Sequence, residues 1–307
     1  MEQPKRGNRK VLDIFLPGMI NVFGHRGRFP AISITGYGCA LSCEHCKGTL
    51  LRSMYHVRTP QELKKLLSEF EEKGMHGVLL SGGCDINGKM PWDRFLPHLM
   101  DFNTTLYLIA HGGLYVSRNI AKMFKNSVIR QVLVDITCDH DTLREIYHIK
   151  EPSIIVKTLD NLYCEGIDVA PHIIIGIYKG KIKGEIHSLD LLSRYQKEKV
   201  ILVILMPEVL GTLPPPLDEV VEVFRYARSL FKRVTLGCAR PRGEYRRALE
   251  ERLISEGLID AMALWSNEAI KKAKDLGYTT NFYEGCCAIT LRKHLPILEK
   301  FHGIRVS

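Results

Sequence analysis

The strongest constraint on what this chain can fold into is an alternation that runs along most of its length. Short apolar segments that stop at Gly, Pro, His or Cys are followed, time after time, by stretches of helical periodicity. The strand-like segments are Ile32 to Ile34, Gly77 to Ser81, Thr105 to Ala110, Val132 to Ile136, Val169 to Ile175, Val200 to Met206, Val234 to Gly237 and Ala261 to Leu264. Between the first two, Leu63, Leu66, Leu67 and Phe70 repeat at helical spacing behind a start signal of Thr59, Pro60 and Glu62. The strands are apolar throughout rather than alternating, as parallel strands covered on both faces are. Eight strand-then-helix units predict an α/β fold, a (β/α)8 TIM barrel; the alternative is an incomplete barrel of six units with a different C-terminal region. Only the last two strands separate these readings. In a barrel the chemistry gathers at the C-terminal ends of the strands.

No low-complexity run or long linker divides the 307 residues. One domain over 1–307 is expected, with a basic N-terminal extension over 1–30 and a C-terminal cysteine-containing segment over 278–307. The apolar lead-in, residues 11–30, is broken by Pro17, Gly18, Gly24 and Gly27. It is expected to cover the barrel bottom or to lie along a substrate, with Ile20, Val22 and Phe23 lining a groove. The most apolar run, Val200 to Met206, has strand length, and no signal-peptide core follows the basic start, so a soluble cytoplasmic protein without a membrane span is expected. The formal charge of +9 favours an acidic partner. No block of Lys and Arg with interleaved aromatics points to nucleic acid.

The first strand runs directly into Cys39, Cys43 and Cys46, three thiols on one tight loop. A closed zinc site wants four ligands, usually as two pairs, and the nearest thing to a second pair is the adjacent Cys286 and Cys287. An iron–sulfur cubane also takes thiolates at such spacings, and three of them leave one iron open to a small molecule. The other predicted strand ends carry Gly82, Gly83 and Cys84, then His111, Cys138, Gly176, Met206 and Cys238. A lone cysteine is usually a small buried apolar residue, the reading that suits Cys164 on its helix. A shared rim weakens it for Cys84, Cys138 and Cys238. Cys286 and Cys287 do not easily bond to each other, since neighbouring Cα atoms are about 3.8 Å apart and the trans peptide turns the side chains away. One of them can join Cys238 at a second centre; core thiols or a zinc site are the plainer alternatives.

C-x3-C-x2-C after a strand resembles the cluster motif of the radical S-adenosylmethionine (SAM) superfamily, with His45 where that family usually has an aromatic residue. Leu79 to Gly83, LLSGG, resembles the family's glycine-rich edge, although Cys84 stands where glutamate usually follows. Gly180 to Gly184 resembles its glycine-bracketed contact to adenine, and equally a solvent-exposed turn. The resemblance implies a radical SAM barrel with a [4Fe-4S] cluster on Cys39, Cys43 and Cys46 whose open iron is chelated by S-adenosyl-L-methionine. Tyr37, His45, Gly82, Gly83, Asp135, Gly176, Met206 and Arg240 are the implied cofactor contacts. Asp135 would bond a ribose hydroxyl or a substrate amide, or be a paired core group.

The strand before Cys238, with Arg240 and Arg242 beyond it, resembles the biotin synthase group. Over its whole length the chain resembles the archaeal and bacterial two-protein lipoyl synthases, nearer their second subunit. That implies a sulfurtransferase with an auxiliary [4Fe-4S] cluster, ligated from among Cys84, Cys138, Cys238, Cys286 and Cys287, as sulfur donor. Its implied partners are an acidic carrier protein bearing octanoyl-lysine, a sister radical SAM subunit and an electron donor such as a ferredoxin. The rivals are a radical SAM enzyme of different outcome and a non-catalytic iron–sulfur or zinc scaffold.

Overall fold

The computed structural model describes residues 10–22 and 24–289. Its strands are β1 (Val11–Leu16), β2 (Ala31–Ser33), β3 (Tyr55–His56), β4 (Gly77–Ser81), β5 (Tyr107–His111), β6 (Gln131–Asp135), β7 (Val169–Ile175), β8 (Lys199–Ile204), β9 (Arg233–Leu236), β10 (Ala261–Ala263) and β11 (Thr279–Glu284). They form one sheet in the order β11-β1-β10-β9-β8-β7-β6-β5-β4-β2-β3, and every ladder is parallel. From β2 through β4 to β10 each unit pairs with the next, so the eight expected units are present in chain order.

The cause is the expected one. Strands such as β8 are buried along their whole length, and helices such as Pro60–Glu72 turn Leu63, Leu67 and Phe70 against them. That helix begins where Thr59 Oγ1 accepts from Glu62 N at 3.2 Å, while the Glu62 carboxylate reaches one residue further back, to Arg58 N at 2.7 Å. Between β4 and β5 the chain forms a short helix, Trp92–Phe95, followed by a 3-10 turn, Leu96–Leu99. Pro97 lacks the N–H that would continue it.

Two segments depart from expectation. The lead-in does not cover the barrel bottom: 11–16 form β1, inserted between β10 and β11. It is held there by Asp13, fully buried, whose carboxylate takes Arg233 of β9 at 2.9 Å and Asn281 of β11 at 3.1 Å. The C-terminal segment likewise begins as a strand, β11. Ile20 and Val22 fall in the connection after β1, where Val22 bridges to His25. Phe23 lies outside the described residues, as do 1–9 of the basic extension and 290–307 of the C-terminal segment.

Among the described residues no ladder joins β11 to β2 or β3, so the sheet is an open, curled half-barrel. Its seam is bridged by side chains: Arg28 pairs with Glu284, and His76 Nδ1 lies 3.3 Å from the Glu284 carbonyl. No helix among the described residues is long and apolar enough to cross a membrane.

Candidate functional site

The cysteine loop is tied to the end of β4 by its backbone. Ser33 Oγ donates to Gly36 O at 2.6 Å, and Thr35 Oγ1 donates to Gly38 O at 2.9 Å while accepting from Gly83 N at 2.7 Å. The Cys84 carbonyl accepts from Ala40 N and Leu41 N, at 2.9 and 3.1 Å. Gly83 makes the approach possible, because a Cβ there would lie 2.0 Å from Gly38 O and 2.5 Å from Cys39 Cα. The second half of the loop folds over the Cys43 carbonyl, which accepts from Cys46 N and Lys47 N at 3.1 and 2.7 Å. Ser42 and Lys47 take left-handed backbone to do so, at φ 46° and 45°.

Cys39, Cys43, Cys46 and Cys84 therefore act on one another. The hydrogen bond from Cys43 pulls the Cys46 thiol down to about 4 against its burial, with His45 helping, and the same bond, with burial, drives Cys43 far up. Burial, and then the charge of Cys39, pushes Cys84 up to about 12. All four are free thiols. Among the described residues no three His, Cys, Asp or Glu side chains converge as one metal ion would require. A cubane spreads its ligands over separate irons, and three free thiols on one loop suit it.

A second group lines the lumen beside them. His45 meets Tyr147 edge-on at 5.1 Å, and its Nδ1 is buried with no protein partner. His111 Nε2 stands 3.6 Å from Asp135 Oδ1; Gly113 N donates to His111 Nδ1 at 3.3 Å, which leaves the ring proton on Nε2, facing the carboxylate. Burial works to lower the His111 pKa, but Asp135 outweighs it and the group titrates above its ordinary value; burial works to raise Asp135, and His111 outweighs that. His172, register partner of Asp135, is pushed down to about 4 by burial. Sequence reasoning singled out Asp135 and His111 but missed His172 and Tyr147. For His172 the signal is a polar side chain at the lumen-facing parity of an apolar strand, where Ile174 is also half-buried.

The remaining predicted site residues divide. Tyr37 is 64% exposed and packs on His56, away from the lumen. Cys138 is not brought to the other thiols: its neighbours are Ser188, Arg194 and Tyr195 of the helix Glu185–Tyr195. Gly176 has φ 75° with its N–H held by Glu185, whose buried carboxylate also takes Lys183 N and Gly184 N. The Gly180 to Gly184 turn is thus closed on this glutamate. Met206 lies half-buried two residues past β8. Arg240 is not free to bond a cofactor in the way expected of it, since its donors go to Glu250 at 2.6 and 3.1 Å, Gly237 O at 2.6 Å and Leu264 O at 3.3 Å.

The late cysteines lie within electrostatic reach of one another, although among the described residues they form no group that could hold a single metal ion. Parallel pairing of β9, β10, β1 and β11 puts the ends of β9 and β11 on one rim. Cys286 and Cys287 share a hydrogen bond that lowers the first and, with burial, raises the second; Cys287 also feels Cys238 and the Arg240 guanidinium. Cys238 is solvent-accessible although protein surrounds it, as befits a lumen wall.

No family model matches the chain, and no curated protein does. Solved structures do. Methylornithine synthase (PylB) is 16% identical over 78% of this chain and 72% of its own, with a TM-score of 0.53. HydG, a maturase of the [FeFe]-hydrogenase, is 14% identical over 86% of this chain and 60% of its own, also at 0.53. SuiB of Streptococcus suis, bound to S-adenosylmethionine, is 11% identical over 94% and 62%, at 0.49. At such identities the likeness to the first two is one of fold: an open parallel half-barrel with flanking helices. None of these likenesses is specific to lipoyl synthases.

Proposed function

We propose that this chain is a radical SAM enzyme whose Cys39, Cys43 and Cys46 hold a [4Fe-4S] cluster. The observation that carries the reading is the seating of the three-thiol loop against β4 at the rim of an open parallel half-barrel, with Gly83 pressed against Cys39. When bound, such a cluster offers one iron to SAM and supplies the electron that splits its sulfonium into methionine and a 5′-deoxyadenosyl radical. This chain's own residues bind and orient. Gly83 lets the cysteine loop itself approach the end of β4, since a Cβ there would meet Gly38 O and Cys39. His45 offers a buried Nδ1 without a hydrogen-bond partner, and Asp135, whose Oδ1 faces His111 Nε2, keeps its other carboxylate oxygen as an acceptor. Cys84 supplies no carboxylate for the SAM amino group, so Asp135 is the nearest candidate acceptor on this wall.

The test is anaerobic reconstitution followed by metal analysis and electron paramagnetic resonance. About four irons should disappear when Cys39, Cys43 and Cys46 are all replaced by serine, and SAM should change the spectrum of the reduced wild type. Zinc in place of iron, or a spectrum indifferent to SAM, would overturn the reading.

A finer reading is supported by the electrostatic proximity of Cys238, Cys286 and Cys287: an auxiliary cluster that would give up sulfide to an octanoyl chain on an acidic carrier protein, as in two-protein lipoyl synthases. A sister radical SAM subunit would place the other sulfur. The charge of +9 supports an acidic carrier. Turnover with octanoyl-lysine carrier should consume protein-bound sulfide; SAM cleavage without sulfide loss would leave a radical SAM enzyme of another outcome.

A further inference from the structure

A fourth thiol stands beside the three of the loop. The Cys84 carbonyl holds the N–H groups of Ala40 and Leu41, and Gly83 is pressed against Cys39, so the backbones of 83–84 and 39–41 lie side by side. Cys39 is the neighbour whose charge acts most strongly on Cys84, and Cys84 in turn acts on Cys43. Cys238, Cys286 and Cys287 act instead on one another. The Cys84 side chain is half-buried and borders a hollow of about 610 Å³ together with Thr35, Gly38 and Gly83, which gives it room to change place.

We propose that Cys84 is a removable fourth ligand of the centre held by Cys39, Cys43 and Cys46, closing the open iron while SAM is absent and giving it up when SAM binds. The proposal rests on the radical SAM reading and deepens it, and it takes Cys84 away from the auxiliary centre. Two observations carry it. The first is placement: the end of β4 brings a fourth thiol to the loop that holds the other three, with no element between them. The second is the chemistry of the side chain. A thiol is a weak hydrogen-bond acceptor for an ammonium group, whereas a thiolate is a soft ligand well suited to iron. The exchange balances without electrons. Cys84 releases its proton to water as its sulfur bonds the iron, since a coordinating thiol is deprotonated outright, and takes a proton back when the amino and carboxylate groups of SAM replace it. A protein ligand on that iron keeps the corner from being lost to oxidants before SAM arrives.

The experiment compares the reconstituted full chain with Cys84→Ala, both free of SAM. Mild oxidation by ferricyanide strips an iron that lacks a protein ligand, and electron paramagnetic resonance reads the [3Fe-4S] cluster left behind. Cys84→Ala should give that signal several-fold faster than the wild type. SAM, titrated against the spectrum of the reduced cluster, should bind the variant about tenfold more tightly, as for a site that Cys84 leaves free about a tenth of the time. Thermal unfolding of the apo-proteins checks that the variant folds; Cys84→Ser, nearly the same shape, replaces it otherwise, with the same sign expected. Equal iron loss in the two proteins would overturn the proposal, as would SAM binding no tighter to the variant where both bind it. With Cys39, Cys43 and Cys46 all replaced by serine, adding Cys84→Ala should leave the iron content unchanged; a further loss of iron there would return Cys84 to an auxiliary centre and overturn the proposal. Spectra indifferent to SAM in both proteins would count against the radical SAM reading instead, and the oxidation rates would still judge Cys84.

Discussion

Gly83 and Cys39 share a space that a single methyl group would fill. Gly83→Ala should therefore displace the cysteine loop, costing about 1–3 kcal/mol and lowering the iron retained after reconstitution; thermal unfolding of the apo-protein and iron analysis check the two effects. Glu250 is fully buried and holds Arg240, Arg246 and the Ser266 N–H together. Glu250→Gln removes one partner of a buried pair and should cost about 3–5 kcal/mol. Burial works to raise the Glu250 carboxyl, but Arg240 and Arg246 outweigh it and hold it below its ordinary value. A depressed carboxylate contributes stability that is fully present above its unfolded pKa, about 4.3, and that is lost as pH falls through the lower folded value. The gap between wild type and variant in urea titrations should stay constant from neutral pH to about 5 and narrow below about 4. The residues legible in the sequence were those whose meaning is local. Cys39, Cys43 and Cys46 declare themselves by spacing alone. Arg240 does not, because its role depends on Glu250 and on the Leu264 carbonyl, which only the fold brings near.

At the scale of elements the eight barrel strands were readable because each comes with a helix, and two periods in alternation are hard to mistake. β1 has no helix before it, and β11, although it follows the helix Asn267–Asp275, reads TTNFYE, too polar a run to mark a buried strand. An apolar strand that follows no helix reads as a loop or lid until its neighbours are known, and here those neighbours, β10 and β11, come from the far end of the chain. Asp13 is the pin of this arrangement. Asp13→Leu should cost about 3–5 kcal/mol, measured by denaturant unfolding, by leaving Arg233 without its carboxylate and Asn281 without its acceptor. Deleting 1–16 should release β11, so that limited proteolysis cuts before Cys286, where the intact chain resists. Resistance equal to that of the intact chain would show that β11 does not depend on β1.

For the whole molecule, the curled sheet carries two thiol groups on one rim: the cysteine loop at the β2 end and Cys238, Cys286 and Cys287 toward the other edge. Among the described residues no ladder closes the sheet between β3 and β11, and the Arg28–Glu284 pair bridges that seam. His111, Asp135 and His172 stand on the neighbouring strands β5, β6 and β7 and act on one another electrostatically. Everything in this account turns on the early thiols holding a centre that splits SAM. The most direct measurement is 5′-deoxyadenosine released when the reconstituted protein, with SAM, is reduced by dithionite under strict anaerobiosis. The account predicts deoxyadenosine and methionine in equal amounts from the wild type and none from Cys43→Ser; intact SAM with the cluster-loaded wild type would contradict it.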